Sequence, residues 1–412
     1  MSDKLKVAYI LPRFPSLTET FILREMYWLR ESNVEVHIFS LLPPKQTPVH
    51  QQAEELMPYV HYSPFLLSRG LIGAQLYSLF HSPLRYLRAL WYAIWENLPE
   101  PLVVLRVLMI FPKSIYFARQ MQDIGIDHIH AHFVWLQGTA AAIAAELIGV
   151  TFSVHPHAFG IFRRNSAATR RQLQRAHKIV TISEFHRTYI AAMCPGIRPD
   201  DIEIVHLGLE TEKFRPPARP VDNEIPHILS IGSLIEKKGH EYLIDACALL
   251  AEKGYRFQCS IVGVGPLQGL LQARINRHKL QDTVTLLGAK REAEVLALYR
   301  QSDIFALACV VARNGDRDGM PNVFIEAMAM HLPVVTTPVT GIPELVHDGE
   351  TGLLVPEKDA AALAHALERL MQDEVLRRDL GKRGRQAVLD GFDILKTTAR
   401  LATIFRQVKG LK

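Results

Sequence analysis

Asp318 and Glu326 stand eight positions apart in Asp318-Gly-Met-Pro-Asn-Val-Phe-Ile-Glu326, bracketing a glycine, a proline and the start of a helical apolar pattern. Pro321 suits the first position of a helix, because the N–H it lacks would have no partner there anyway. The N–H groups of Asn322 and Val323 would then point out of the helix end and make an anion site for a diphosphate. Glu326, about one turn further in, offers two acceptor oxygens to a diol such as a ribose. Asp318, in the preceding loop, is placed to hold sugar hydroxyls. The same spacing also describes a capped surface helix with two solvated acids, so the pair decides nothing alone.

It has company. Upstream, Ile231-Gly-Ser-Leu-Ile-Glu-Lys-Lys238-Gly-His runs from a strand through a short loop into a helix, followed by Ile261-Val-Gly-Val-Gly-Pro266 and Val284-Thr-Leu-Leu-Gly288. Downstream come Leu332-Pro-Val-Val-Thr-Thr, Gly341-Ile-Pro-Glu-Leu-Val and Gly349-Glu-Thr-Gly-Leu-Leu-Val355. Three other signals are weaker. Gly263-Val-Gly-Pro-Leu-Gln268 follows a strand, but its sixth position is Gln and no acid follows at the distance a dinucleotide site needs. Asp316-Arg-Asp318 spells a metal-binding pair, yet basic residues and a helix end can carry a diphosphate's charge without an ion. His128, His130 and His132 share one strand face, which suits zinc in principle; with no fourth ligand placed, they read as a packed strand.

The elements that must position these residues follow from periodicity. Short apolar runs at 7–11, 34–40, 128–133, 179–182 and 202–205, and again at 227–231, 258–262, 284–287, 304–307, 334–336 and 352–355, alternate with segments of helical period. Such alternation predicts parallel sheets with helices on both faces. Phe214-Arg-Pro-Pro-Ala-Arg-Pro220 carries three prolines in seven residues and can join neither a helix nor a central strand. It divides the chain into an N-terminal lobe, 1–215, and a C-terminal lobe, 216–390. Residues 391–412 form a last helix long enough to return to the first lobe. Ligands are expected in a cleft at the carboxyl ends of the strands.

Residues 62–121 interrupt the alternation with a stretch rich in Leu, Tyr, Trp and Phe, interleaved with Arg69, Arg85, Arg88, Arg106 and Lys113. It reads as two or three amphipathic helices, either packed on the first lobe or presenting a basic, aromatic face to an anionic membrane. At 412 residues, 48% hydrophobic and 22% charged, the chain has the composition of a globular protein of two or three domains. A net charge of +5 is too mild to argue for nucleic acid. Cys194, Cys247, Cys259 and Cys309 have no metal-like spacing and read as reduced thiols of a cytosolic protein. With no signal-peptide pattern, and an uncharged run near Gly70 too short to span, the chain is expected neither to cross a membrane nor to be exported.

Taken together, and densely over residues 205–375, these motifs resemble the retaining glycosyltransferases of family 4, which have the GT-B fold. Phe14-Pro-Ser-Leu-Thr-Glu-Thr-Phe-Ile, Ile129-His-Ala-His-Phe and Gly315-Asp-Arg-Asp-Gly-Met-Pro-Asn-Val are similar to the branch that builds bacterial exopolysaccharides of the colanic-acid or amylovoran kind. The resemblance implies an α/β architecture of two doubly wound, Rossmann-like lobes facing across a cleft, with the helical insertion in the first. It also implies roles. His157 reaches the transferred sugar, Asp318 contacts the donor sugar where the family usually has Glu, and Lys238 neutralises the leaving diphosphate. Glu326 binds the nucleotide ribose, with Asn322, Val323, Gly319, Ser233 and Gly263 completing the donor site. Ser233 stands where the family often has Arg, a contact that is either missing or supplied by Arg313 or Arg317. Phe159-Gly160 stands where close relatives read Lys-Asp.

The implied reaction moves a sugar, with retention and without metal or cofactor, from a UDP- or GDP-linked donor to a saccharide, expected to be lipid-linked and at the cytoplasmic face of the membrane. A non-catalytic, nucleotide-sugar-binding subunit of a polysaccharide assembly complex is the alternative.

Overall fold

The computed structural model describes residues 4–16, 20–44, 51–66, 68–98, 100–163, 166–217 and 223–410. Leu17 to Glu19 of the first sequence motif and residues 218–220 of the proline-rich break lie outside the described residues. The chain forms two compact units, one of Met1–Ile182, His186–Gly208 and Ile394–Lys412, the other of Ser183–Phe185 and Leu209–Asp393.

In the first unit, β1 (Leu5–Arg13), α1 (Thr20–Leu29), β2 (Val34–Leu42), α2 (Gln51–Leu56) and β3 (Val60–Tyr62) lead into three consecutive helices. These are α3 (Arg69–His81), α4 (Pro83–Asn97) and α5 (Pro101–Ile124). Alternation then resumes with β4 (His128–His132), α6 (Leu136–Ile148), β5 (Thr151–His155), α7 (Ala167–Arg175), β6 (Lys178–Thr181), α8 (Glu184–Met193) and β7 (Ile202–Ile204). The second unit contains β8 (His227–Ile231), α9 (His240–Glu252), β9 (Gln258–Val262), α10 (Gln268–Arg277), β10 (Val284–Gly288) and α11 (Glu292–Gln301). It continues through β11 (Ile304–Leu307), α12 (Asn322–Ala329), β12 (Val334–Thr336), β13 (Leu353–Leu354), α13 (Ala360–Gln372) and α14 (Glu374–Gly391), and α15 (Ile394–Lys409) belongs to the first unit again.

Each unit has one parallel sheet. The orders are β3-β2-β1-β4-β5-β6-β7 and β10-β9-β8-β11-β12-β13. In both, the winding direction reverses between two adjacent strands, β1 and β4 in one, β8 and β11 in the other. These strands are covered on both faces, so they read as continuous apolar runs; Val7, Ala8, Tyr9 and Ile10 are all fully buried.

Two strands lack that signature and were not visible in the apolar runs. β3 is three residues long, and β5 puts Thr151, Ser153 and His155 on one buried face. Opposite them in register stand His128, His130 and His132 of β4. Ser153 Oγ bridges His128 Nε2 and His130 Nδ1, at 2.7 Å from each, and Thr151 Oγ1 lies 2.8 Å from His128 Nδ1. α15 closes over this polar face, with the Phe405 ring 5.2 Å from that of His128 and 5.0 Å from that of His130. Leu401, Ile404 and Phe405 join Tyr9 and Met26 in the same core cluster.

α5 is long and apolar enough to cross a bilayer by length and composition, with 39% of its most apolar window buried inside the protein. It packs mainly against α3, α4 and α6 and also touches β2.

Burial, and then neighbouring histidines, hold His130 and His155 well below the usual imidazole range, and burial takes His128 down to about 3. They are neutral when folded and protonate near pH 6.5 when unfolded, so the stability they contribute is present above pH 6.5 and lost as pH falls towards their folded values. Each histidine should cost about 1.4 kcal/mol per pH unit below that point. Urea unfolding between pH 7.5 and 5 should show this slope, and His128→Gln should flatten it by one such step.

Candidate active site

β8 and β11 are neighbours at the reversal of the second sheet, with Ile228 opposite Ile304 and Leu229 opposite Phe305. The loops that leave their carboxyl ends therefore run side by side. The first carries Ser233, Lys237 and Lys238, and the second carries Asp316 and Asp318. Lys238 Nζ is 2.7 Å from Asp318 Oδ2, and Lys237 Nζ is 3.3 Å from both Asp318 Oδ1 and Asp316 Oδ1. All four side chains are largely buried, with between 13% and 17% of each exposed, so the charges meet in a medium that screens them poorly.

Gly239 allows this approach. Its φ is +62°, and a Cβ there would overlap the Ala308 carbonyl oxygen just beyond β11. Gly263, at the end of β9, has φ +147°, and its missing Cβ leaves room for the Gly232 carbonyl next to the exposed Ser233.

Burial opposes charge on Lys238, but the Asp318 carboxylate more than offsets it, and the ammonium is held above the ordinary lysine range. Asp318 mirrors it: burial would raise its carboxyl, and Lys238 and then Lys237 pull it below the usual value. Both are therefore ionised at neutral pH. Cys309, beside them, is pushed up to about 12, first by burial and then by Asp318, so it remains an inert thiol.

The acid loop is pinned from behind. Thr340 Oγ1 lies 2.5 Å from the Asp318 carbonyl oxygen and 2.6 Å from that of Gly319, and the Gly341 N–H donates to Gly319 at 3.1 Å. Pro321 is the N-cap of α12, one residue earlier than the sequence reading placed it, and Asn322 opens the helix with no side-chain cap. The amides of Asn322 and Val323 fall in the first turn, where helix geometry supplies no partner. Asn322 Oδ1 is buried with no hydrogen-bond partner. Four residues on, Glu326 Oε2 accepts from the Tyr299 hydroxyl at 3.2 Å.

Lys238, Asp318, Gly319, Asn322, Val323 and Glu326 are thus carried by one loop pair and the helix that follows it, with Ser233 on the first of those loops and Gly263 just past the end of β9. Lys237, Thr340 and Tyr299 were missed. Lys237 was overshadowed by its neighbour in sequence, and the other two act from elements whose proximity no spacing reveals. Of the two arginines considered as substitutes at Ser233, Arg313 has 94% of its side chain exposed, with Glu236 3.8 Å away.

His157 belongs to the first unit. Tyr9 donates to Glu25 Oε1 at 2.8 Å, His132 Nε2 lies 2.9 Å from the same oxygen, and His132 Nδ1 lies 2.9 Å from His157 Nε2. With the carboxylate accepting from His132 Nε2–H, Nδ1 is an acceptor and His157 Nε2 must donate. Burial, and then His155 and His132, keep His157 neutral. Ligand atoms of His130, His132 and His155 lie within 4.8 Å of one another, a grouping that takes in His155 and leaves out His128. His132 engages both of its nitrogens, whereas His130 Nε2 and both nitrogens of His155 are buried with no hydrogen-bond partner among the described residues.

Residues 18–213 match the profile described as Glycosyltransferase Family 4, and residues 211–387 match that of glycosyl transferases group 1. The chain belongs to the family 4 glycosyltransferases. It is 29% identical over 98% of its length to the whole of WcaL of Escherichia coli, which is named for colanic acid biosynthesis. It is 40% identical to AmsK of Erwinia amylovora, named for amylovoran biosynthesis, over 45% of each chain. Among solved structures, a sucrose-phosphate synthase from Thermosynechococcus elongatus shares the fold at a TM-score of 0.75 and 19% identity, covering 99% of this chain and 100% of that one. The fold of this glycosyltransferase is therefore GT-B, with two doubly wound parallel-sheet units.

Asp318→Asn in this glycosyltransferase leaves Lys238 buried without its counter-ion. Breaking a buried pair from one side should destabilise the second unit by about 3 kcal/mol, readable as a lower urea midpoint at unchanged slope. Asp316→Asn, which removes a partner only from Lys237, should cost less.

Proposed function

We propose that the chain transfers a sugar, with retention of configuration, from a nucleoside-diphosphate sugar to a saccharide acceptor in exopolysaccharide assembly, on the cytoplasmic side of the membrane. The observation that carries the reading is the lysine pair charged and held in place by Asp316 and Asp318, one short loop ahead of the uncapped start of α12. An incoming diphosphate finds two ammonium groups and the first-turn amides already oriented, so little reorganisation is needed as the leaving group gains charge. Asp318, relieved of part of its pairing, turns its oxygens to the hydroxyls of the transferred sugar. Glu326, steadied on one oxygen by Tyr299, takes the ribose diol, and Asn322 Oδ1 gains the donor it lacks.

His157 accepts a hydrogen bond through Nδ1 from a hydroxyl of the sugar or acceptor and does not act as an acid, because its ring is neutral and its one N–H, on Nε2, is given to His132, itself oriented by Glu25. We favour displacement on the face from which the diphosphate departs, with a phosphate oxygen taking the acceptor's proton. The names of WcaL and AmsK support an exopolysaccharide acceptor, and a lipid-linked growing chain is the form we infer.

Two measurements test this. Lys238→Ala should lower kcat by about 100-fold while changing donor affinity much less, since its cation matters most in the transition state. A raised KM with kcat untouched would make Lys238 a ground-state contact. Transfer should also persist in excess EDTA; loss restored by Mg²⁺ or Mn²⁺ would turn Asp316 and Asp318 into metal ligands. A non-catalytic subunit would bind the donor without ever releasing nucleotide from it.

A further inference from the structure

α4 carries three stripes. At about 100° per residue, Ala89 and Ala93 fall on the face buried in the first unit, Leu84, Leu87, Trp91 and Trp95 form a second stripe, and Arg85, Arg88, Tyr92 and Glu96 form a third beside it. The second stripe is in water: Leu84 is 82% exposed and Trp91 59%, and the Trp91 and Trp95 rings stack at 5.6 Å. It does not stand alone. Of the twenty exposed large hydrophobic side chains among the described residues, fifteen lie between Phe65 and Met109, on α3, α4, α5 and their connections. Scattered apolar residues on a surface need no account, but a continuous helical face of leucine and tryptophan does.

The third stripe borders a cavity of about 450 Å³ in the same unit, lined by Arg85, Arg88, Arg175, His177, Thr151 and Glu146 among others. Glu146 pairs with Arg88 at 2.6 Å and with Arg175 at 3.3 Å, and Arg175 is further held by Glu96 at 3.1 Å. Arg85 has no carboxylate partner among the described residues; its guanidinium reaches the Leu147 carbonyl at 3.4 Å. His177 Nδ1 accepts the Phe152 N–H at 3.3 Å, which leaves Nε2 as the protonated donor. Three guanidinium groups and an imidazole N–H thus surround a cavity lined by one carboxylate, next to an apolar stripe that would lie deeper in a bilayer than the arginines.

The geometry points to an anionic phospholipid bilayer as the occupant: α3, α4 and α5 lie in its interface, and the Arg85–Arg88 cavity takes a headgroup phosphate. Charge complementarity selects this partner, because the apolar stripe alone would accept any greasy surface while the cavity beside it accepts only an anion. This placement deepens the transferase reading, since it brings the first unit to the surface where a lipid-linked acceptor resides, but its test does not depend on that reading.

The full chain should co-sediment with vesicles of phosphatidylglycerol and phosphatidylcholine at low salt, and much less with pure phosphatidylcholine. It should release as ionic strength rises and the Debye length shrinks to about 8 Å. Arg85→Gln with Arg88→Gln, and separately Trp91→Ser with Trp95→Ser, should each weaken binding to the anionic vesicles by about tenfold or more, with the melting temperature checked to show that both variants fold. Hydrolysis of a nucleotide sugar without vesicles should be unchanged in both pairs, and it reports on the transferase reading separately. Equal recovery on neutral and anionic vesicles, or undiminished binding by the arginine pair, would overturn the proposal. So would stabilisation by inorganic phosphate with no vesicle binding, which would make the cavity a site for soluble phosphate.

Discussion

The adjacency of β8 and β11 is the constraint on which the candidate donor site rests. A parallel sheet that winds both ways has one place where consecutive chain segments leave in opposite directions, and the two loops there have no crossover helix between them. In this chain those loops carry Lys237 and Lys238 on one side and Asp316 and Asp318 on the other. Gly239 makes the contact sterically possible, and the Thr340 and Gly341 contacts keep the acid loop from relaxing away. Four buried charges would each be costly alone. Paired, they hold one another in place, and Lys238 and Asp318 stay ionised; the proposed diphosphate would replace carboxylate oxygens by phosphate oxygens around the same cations.

The first unit solves a different problem with similar means. Its central strands β4 and β5 place histidine, serine and threonine in the core, where Thr151 and Ser153 engage His128 and His130 across the register. The chain of contacts from Tyr9 through Glu25 and His132 to His157 orients a neutral imidazole at the carboxyl end of that sheet. The arrangement depends on α15, which is last in sequence and lies over the histidine face. Truncating the chain before Ile394 would uncover groups whose protonation the core cannot tolerate.

The helices α3 to α5 spend their apolar residues unevenly. Val103, Val107, Ile115 and Phe117 pack into the core, and Leu102, Leu105 and Leu108 on the same helix remain in water. Apolar residues on the outer face of such a helix fit a setting in which that face also meets something apolar.

The sequence by itself determined the alternation, the presence of two sheet-forming halves and the identity of the paired-acid segment, because each is a local matter of period or spacing; the compact units divide at Leu209, ahead of the prolines. It also supplied the glycines and the lysine–glycine turn that let loops approach. The tertiary structure alone decided which loops meet. Lys237 and Lys238 stand some eighty positions from Asp316 and Asp318, and only strand order makes them partners. Tyr299 steadies Glu326 from another helix. β5 escaped the pattern because its inward face is polar, a choice that makes sense only once His128, His130 and His132 are seen across the register. The insertion showed the same limit: Arg, Leu and Trp in one helix fit a core helix and a surface one equally, and only burial and pairing on α4 separated the alanine and arginine stripes, which engage the protein, from the leucine–tryptophan stripe, which is exposed.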